Sequence, residues 1–398
     1  MNEVVAPPAV SVPSVTPAEP IVFSGVRSDF RRLVLRGALL ELVTVGFYRF
    51  WLATDMRRHL WSHTSVGGDA LEYTGTAKEL LIGFLFALAV LVPIYLVYTL
   101  IGIQAEQMQA FASIPLVLFY YLFAQFAIYR ARRYRLTRTV WRGVRFWMEG
   151  SGWSYAWRAS LWALLAIVTL GIALPWRETA LERFKMRHSY YGDLQGRFDA
   201  TGWQLFAKVW WMWIGGLVFL FFALAMVTAA PVIGAIMPLI FLVIAAIVYP
   251  IYKAIEWRWW ASGIRFGQVR FESDLPNGRL IGLYLKVLGW FLLLIIIFSL
   301  IITGGIFAVG GGNFSEGDFS RVLAQQGAGL AVLVFSYVVL ALGATAIMRI
   351  YLVRDIWARV AATARVHNLA AADNVAAKGH MVGALGEGLA DSLDIGGF

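Results

Sequence analysis

The 398-residue chain contains no cysteine. Disulfide frameworks, thiolate metal centres and cysteine nucleophiles are therefore excluded. Charge is also scarce: 15% of the residues are Asp, Glu, Lys or Arg, against about 25% in soluble domains. With 60% hydrophobic residues and a mean hydropathy of +0.68, the chain is too apolar for a soluble globular enzyme or a disordered polymer. Residues 1–20 lack the basic start and apolar core of a secretory signal. Pro7, Pro8, Pro13, Pro17 and Pro20 mark them as an extended, disordered cytoplasmic tail. Catalytic patterns are missing too: there is no Ser-His-Asp order, no HExxH, no paired catalytic carboxylates and no GxGxxG followed by an acid. Gly310-Gly311-Gly312-Asn313 has no following Gly-Lys-Ser/Thr, so it reads as a connector rather than a phosphate loop. A non-enzymatic role is expected.

What is abundant is long apolar sequence. Six stretches reach the ~20 residues that a bilayer-spanning helix needs: roughly 80–103, 114–134, 205–228, 232–253, 281–304 and 329–350. They fall into three pairs. Within a pair the link is nearly free of cations: 104–113 and 229–237 have none, and 305–328 has only Arg321. The other connections are basic, above all 130–145 with its seven arginines, and also 27–36, 177–187, 253–279 and 349–365. Cationic flanks mark the cytoplasmic side. The expected topology is three hairpins dipping outward from a bacterial inner membrane, with both termini cytoplasmic. Inside the six spans ionisable groups are scarce: Lys208 and Lys286 lie near helix ends, and Gln125 is the polar side chain well inside the first hairpin.

Two further stretches, 30–51 and 155–176, are apolar and long enough to cross but carry cations on both flanks. Either each lies in the interface or dips in and returns, or both span and part of the topology inverts. Gly46, Gly171 and Pro175 can break a helix and permit a return, and Trp51, Trp153, Trp157 and Trp176 suit the headgroup belt. Interfacial or re-entrant packing is preferred, giving six to eight helices. The two stretches also match each other at an offset of 125 residues: Thr44, Gly46, Trp51, His63 and Gly67 recur as Thr169, Gly171, Trp176, His188 and Gly192. A second shared motif is read between Trp141-Arg142-Gly143-Val144-Arg145-Phe146 and Trp260…Gly263-Ile264-Arg265-Phe266. The organisation that follows is a tail (1–20), a first repeat (21–148), a second repeat (149–272), a third spanning hairpin (273–365) and a cytoplasmic C-terminal tail (366–398). Short cytoplasmic strands around Tyr73, Phe146, Phe198 and Phe271 are expected to pair beneath an otherwise all-α polytopic membrane protein.

His63 and His188 occupy equivalent positions. As a metal pair they have only Asp69 and Asp193 as nearby helpers, too few ligands. A helix-capping role that turns the chain is the preferred reading. The cluster at 130–145 is read as orienting the chain and touching lipid phosphate, with Arg145 and Arg265 lining a lipid groove. The structural and lipid candidates are thus Arg145, Arg265, His63, His188, Trp51, Trp176, Gly46 and Gly171. Expected partners are membrane lipids, through anionic headgroups at the cytoplasmic face, and further copies of the chain. Nucleic acid, metal and cofactors are not expected.

The chain resembles the YjgN family of bacterial inner-membrane proteins, a family without assigned activity. The resemblance rests on Phe23-Ser24-Gly25, on Thr44-Val45-Gly46-Phe47-Tyr48 with Trp51, His63, Gly67 and Gly75, on Gly143-Val144-Arg145-Phe146, and on Gly386-Glu387-Gly388-Leu389-Ala390-Asp391. It covers about residues 21–398 and implies a multi-spanning plasma-membrane protein. The function expected is a membrane scaffold or lipid-interacting envelope protein, with a channel or transporter for a small or amphipathic solute as the alternative.

Overall fold

The structure is a computed structural model that describes residues 18–104, 109–310 and 327–379. Residues 1–17, the tip of the 104–113 link, Gly311–Asn313, Arg321 and the motif at 386–391 lie outside the described residues.

The alternation of short strands with long helices produces one sheet and one ring of helices. Strands β1 (Glu19–Phe23), β2 (Thr64–Val66), β3 (Asp69–Ala70) and β4 (Glu72–Tyr73) are followed by β5 (Thr139–Trp141), β6 (Val144–Met148), β7 (Ser189–Tyr191), β8 (Leu194–Phe198), β9 (Ile264–Phe266), β10 (Val269–Ser273) and β11 (Ala364–His367). All eleven join in a single antiparallel sheet, in the order β3-β2-β1-β11-β10-β9-β8-β7-β6-β5-β4. The two ends of that order are separated in the chain by Leu71 alone. β3 pairs with β2, and Leu71 donates its N–H to the Thr64 carbonyl (2.9 Å), while β4 pairs with β5. One kinked strand therefore joins the two ends of the sheet into a near-barrel and leaves little open edge. The expectation of an all-α protein is corrected here. Each strand has only two to five residues, so its alternation is too brief to announce a barrel, and closure depends on pairings distant in sequence.

The barrel is filled by inward side chains from its strands. Trp141, Tyr191, Val269 and Val366 are buried, with Ile21, Val66, Leu71, Phe146, Leu194 and Phe266 packed on them. Tight turns close four hairpins at one end, two of them as Gly67-Gly68 and Arg142-Gly143, with positive φ at both central residues. That geometry matches the twist of the flanking strands. Residues 368–376 fold across this end: Leu369 and Ala372 enter the core, and the Ala376 N–H donates to Asp193 (3.1 Å). Arg142 bridges Asp69 and Asp373 at 2.5 Å each. The described part of the stretch read as a C-terminal tail is thus barrel wall and plug, and β1 begins at Glu19, inside the stretch read as a disordered tail.

Helices leave from the opposite end. They are α1 (Arg27–Val43), α2 (Arg49–Ser62), α3 (Ala77–Gln104), α4 (Gln109–Thr137), α5 (Gly152–Val168), α6 (Leu174–Arg187), α7 (Gly202–Ala229), α8 (Pro231–Gly263), α9 (Asn277–Gly310) and α10 (Ala328–Ile347). A π-helical stretch, Met348–Asp355, continues α10 into α11 (Ile356–Ala361). Each of α1 to α10 packs on the next, and α10 returns to α1, so the helices form a ring above the barrel. Among the described residues, six helical segments are long and apolar enough to cross a membrane: Ala77–Ile101, Ile114–Thr137, Gly202–Ala229, Pro231–Gly263, Asn277–Gly305 and Gly329–Ala361. The stretches 30–51 and 155–176 are not among them. Each is broken into two helices, of 17 and 14 residues.

Candidate functional site

The two helix–turn–helix units, α1–α2 and α5–α6, hold most of the sequence-derived candidates, and their breaks share one chemistry. Val45 and Gly46 sit at φ 51° and 88°, and Leu170 and Gly171 at 50° and 90°. Glycine tolerates that region freely, whereas a β-branched valine there is strained. The threonine before each break compensates. Thr44 Oγ1 donates to the Leu40 carbonyl (2.7 Å) and accepts from the Tyr48 N–H (2.9 Å). Thr169 Oγ1 donates to Leu165 (2.8 Å) and accepts from Ala173 (3.2 Å). One hydroxyl thus satisfies the end of one helix and the start of the next. In the second unit the Trp213 indole also donates to the Leu170 carbonyl (2.7 Å).

The histidines end the second helix of each unit. His63 Nδ1 lies 2.7 Å from the His59 carbonyl, and His188 Nδ1 lies 2.7 Å from the Phe184 carbonyl. Each therefore hydrogen-bonds four residues back as a C-cap. Among the described residues no group of three or more His, Asp or Glu side chains is arranged to hold a metal ion. The two tryptophans differ: Trp51 is exposed and stacks on Tyr48 (6.3 Å), whereas Trp176 is half-buried against Phe206 (5.3 Å) and Trp203.

Arg145 and Arg265 are not brought together. Arg145 lies on β6 and donates to the Thr137 carbonyl and to Thr74 Oγ1 (3.3 Å), tying the seam where β4 meets β5. Arg265 lies on β9 and donates to Asp199 (3.2 Å), which Arg197 also engages (2.7 Å). Burial opposes ionisation of Asp199, but the two guanidinium groups outweigh it and hold the carboxyl below its ordinary range. Two strands separate β6 from β9 in the sheet, about 14 Å at the usual strand spacing. The sheet also corrects the second motif's register. At the 125-residue offset Val144-Arg145-Phe146 of β6 corresponds to Val269-Arg270-Phe271 of β10, not to Ile264-Arg265-Phe266 of β9.

Two features were missed by reading the sequence. Behind α6, Glu182 is buried and pairs with Lys185 and with Arg132 of α4 (3.4 Å). Burial works against the carboxylate, yet Lys185 and Arg132 outweigh it and hold the Glu182 carboxyl below its ordinary range. On the opposite side of the unit is an open cleft of about 540 Å³, lined by Ser151, Ser154, Arg158, Arg183, Arg187 and His188 with Ala180 and Phe184 between them. The Arg158 guanidinium lies over the Phe184 ring (4.4 Å), and Arg183 donates to the Ala200 carbonyl (3.2 Å). Among the described residues no carboxylate lines this cleft. Its sequence signal was the i, i+4 pair Arg183–Arg187 ending in His188, with Arg158 on the facing helix.

The six apolar helices of spanning length among the described residues, rooted in a small near-barrel, place the chain in the class of membrane proteins. The model of a bacterial protein family of unknown function, DUF898, matches residues 18–392, and the chain belongs to that family, the YjgN type its motifs resemble. No curated protein and no solved structure matches it.

Proposed function

We propose that this chain is a multi-pass, lipid-interacting scaffold of the bacterial inner membrane, without enzymatic activity, whose barrel and both termini face the cytoplasm. The observation that carries the reading is the thinness of the helical ring. In the most apolar 18-residue window of each span at most 22% of the residues are buried, and in that of Gly202–Ala229 none is. A wall of helices with so much apolar surface on view has lipid as its natural solvent. The orientation is supported by charge: the arginines at 130–145, 177–187, 253–279 and 349–365 all lie at the barrel end of the ring, the end the positive-inside rule assigns to the cytoplasm. In this reading α1–α2 and α5–α6 are re-entrant units, their Thr-x-Gly breaks reaching towards the bilayer. The 125-residue correspondence makes them copies of one ancestral unit. The broken helices suit the basic flanks that a single crossing could not accommodate.

The test is native mass spectrometry of the full chain released from detergent, with reconstitution into vesicles as a second arm. Tightly held anionic phospholipid and no solute flux are expected. Solute flux without retained lipid overturns the scaffold reading in favour of a channel or transporter.

A further inference from the structure

We infer that the cleft on the α5–α6 unit is a binding site for the phosphate of an anionic phospholipid headgroup. The inference rests on the lipid reading above and names the site within it.

Charge comes first. Arg158, Arg183 and Arg187 converge on one cleft with His188 and the Ser151 and Ser154 hydroxyls. Three guanidinium groups without a lining carboxylate repel one another unless an anion joins them, and their forked N–H groups suit phosphate oxygens. The flanking carboxylates are spoken for. Glu149, two residues before Ser151, accepts from the Tyr190 hydroxyl (2.7 Å), and Glu182 on the far face of α6 is paired with Lys185 and Arg132. Ser151 is the N-cap of the 17-residue helix α5 but makes no side-chain cap bond. Its hydroxyl and the first N–H groups of α5 therefore add donors beside the arginines. The preorganisation is visible as well: Phe184 carries Arg158 on its ring, and Ala200 holds one N–H of Arg183.

The apolar surroundings select a lipid over a soluble phosphate. Beside Ser154 and Arg158, helix α5 presents Trp153 (53% exposed), Trp157 (60%), Leu161, Leu164 and Val168 as an outward stripe. Two tryptophans next to a cationic cleft, followed by aliphatics, are the arrangement of a helix lying at headgroup level with acyl chains alongside. The equivalent face of α1–α2 provides a control inside the same molecule. At the 125-residue offset, Arg183 corresponds to Arg58, but Ser154, Arg158, Ala180 and Arg187 correspond to Asp29, Leu33, Asp55 and Ser62. The same backbone there carries two acids and no arginine trio, so the cationic cleft is a property of the second unit and not of the scaffold.

The experiment uses full-length protein in nanodiscs of 3:1 phosphatidylcholine and phosphatidylglycerol, with bound lipid counted by native mass spectrometry after detergent extraction. Wild type should retain phosphatidylglycerol, and the triple variant Arg158→Gln, Arg183→Gln, Arg187→Gln should retain at least fivefold less. A charge-matched control, Arg197→Gln, Arg270→Gln, Arg365→Gln on the barrel wall, should match wild type. Ala180→Phe fills the cleft without changing charge and should lose lipid like the first triple variant, which keeps the test decisive if the arginine variants fold poorly. Equal retention in wild type and Ala180→Phe overturns the site and leaves the lipid reading standing. Absence of retained anionic lipid from wild type overturns the lipid reading itself. Displacement of the lipid by millimolar inorganic phosphate overturns the headgroup assignment and makes the ligand a soluble phosphate compound.

Discussion

The two helix–turn–helix units are built on one plan and secured in two ways. In α1–α2 the first helix is locked from the side: Glu41 forms a bidentate pair with Arg349 of the π-helical stretch (2.8 and 2.9 Å), and Arg27 reaches Asp355 (3.0 Å). Phe30, Val34, Leu52, Met56 and Leu60 then pack with Ile350 in one core. In α5–α6 the position of Glu41 is taken by Ala166 and that of Leu60 by Lys185. That unit is held from behind by its buried Glu182–Lys185–Arg132 group, and its front carries the arginine cleft. An identical backbone break thus supports one unit sealed against its neighbours and one left open. The break fixes chain direction, while side chains on the outer faces decide whether a unit is packed against its neighbours or left open.

Several substitutions break or sharpen that contrast, and the largest effect is expected at the lock. Glu41→Gln leaves Arg349, 22% exposed, without its countercharge and should cost about 3 kcal/mol, read as a lowered melting temperature in detergent. The double variant Glu41→Gln, Arg349→Met, which removes both charges together, should cost less than Glu41→Gln alone; equal losses would contradict the lock. Next, Gly46→Ala and Gly171→Ala place a Cβ at φ near +90° and should each cost roughly 1–2 kcal/mol, by similar amounts because the two breaks are alike. A smaller loss, about 1 kcal/mol apiece, is expected for Thr44→Val and Thr169→Val, each of which removes a donor and an acceptor that span the break. A loss confined to one unit would show that the breaks are not equivalent.

The weakest expected effect is a pH dependence. Burial first, then the charge of His63, hold the pKa of His59 below its ordinary 6.5. The unfolded chain therefore binds a proton at His59 more readily than the folded one. Its contribution to stability is complete above pH 6.5 and declines as the pH falls from there through the depressed folded value. The equivalent residue in the second unit is Phe184, which cannot titrate. His59→Leu should flatten the melting-temperature profile between pH 7 and 5. A steeper profile in the variant would reverse the sign argued here.

Much of this architecture could be read from the residues, because long apolar runs and repeated glycines carry local information. The six spanning segments fall where hydropathy puts them, and Thr44-x-Gly46 and Thr169-x-Gly171 mark both helix breaks. Tyr73, Phe146, Phe198 and Phe271 each lie on a strand of the sheet. Closure of the barrel was not legible, since it depends on a two-sided strand at Asp69–Tyr73 and on β1 meeting β11 across the length of the chain. The register of the second motif failed for a different reason. The pattern apolar-Arg-Phe occurs on both strands of the hairpin after α8, as Ile264-Arg265-Phe266 and Val269-Arg270-Phe271, and the motif alone does not distinguish them; the 125-residue offset and the matching hairpins select the second. The arginine cleft escaped notice because its members come from two helices, one of them without a basic run.

The proposed orientation turns on the side of the membrane that the barrel occupies. Single cysteines can be placed at Ser113, beside the link between α3 and α4, and at Arg270, exposed on β10. Treated with a membrane-impermeant maleimide in intact cells, the Ser113→Cys protein should label from outside, and the Arg270→Cys protein only after permeabilisation. Labelling of Arg270→Cys in intact cells, with Ser113→Cys protected, would contradict the orientation on which the lipid-facing reading is built.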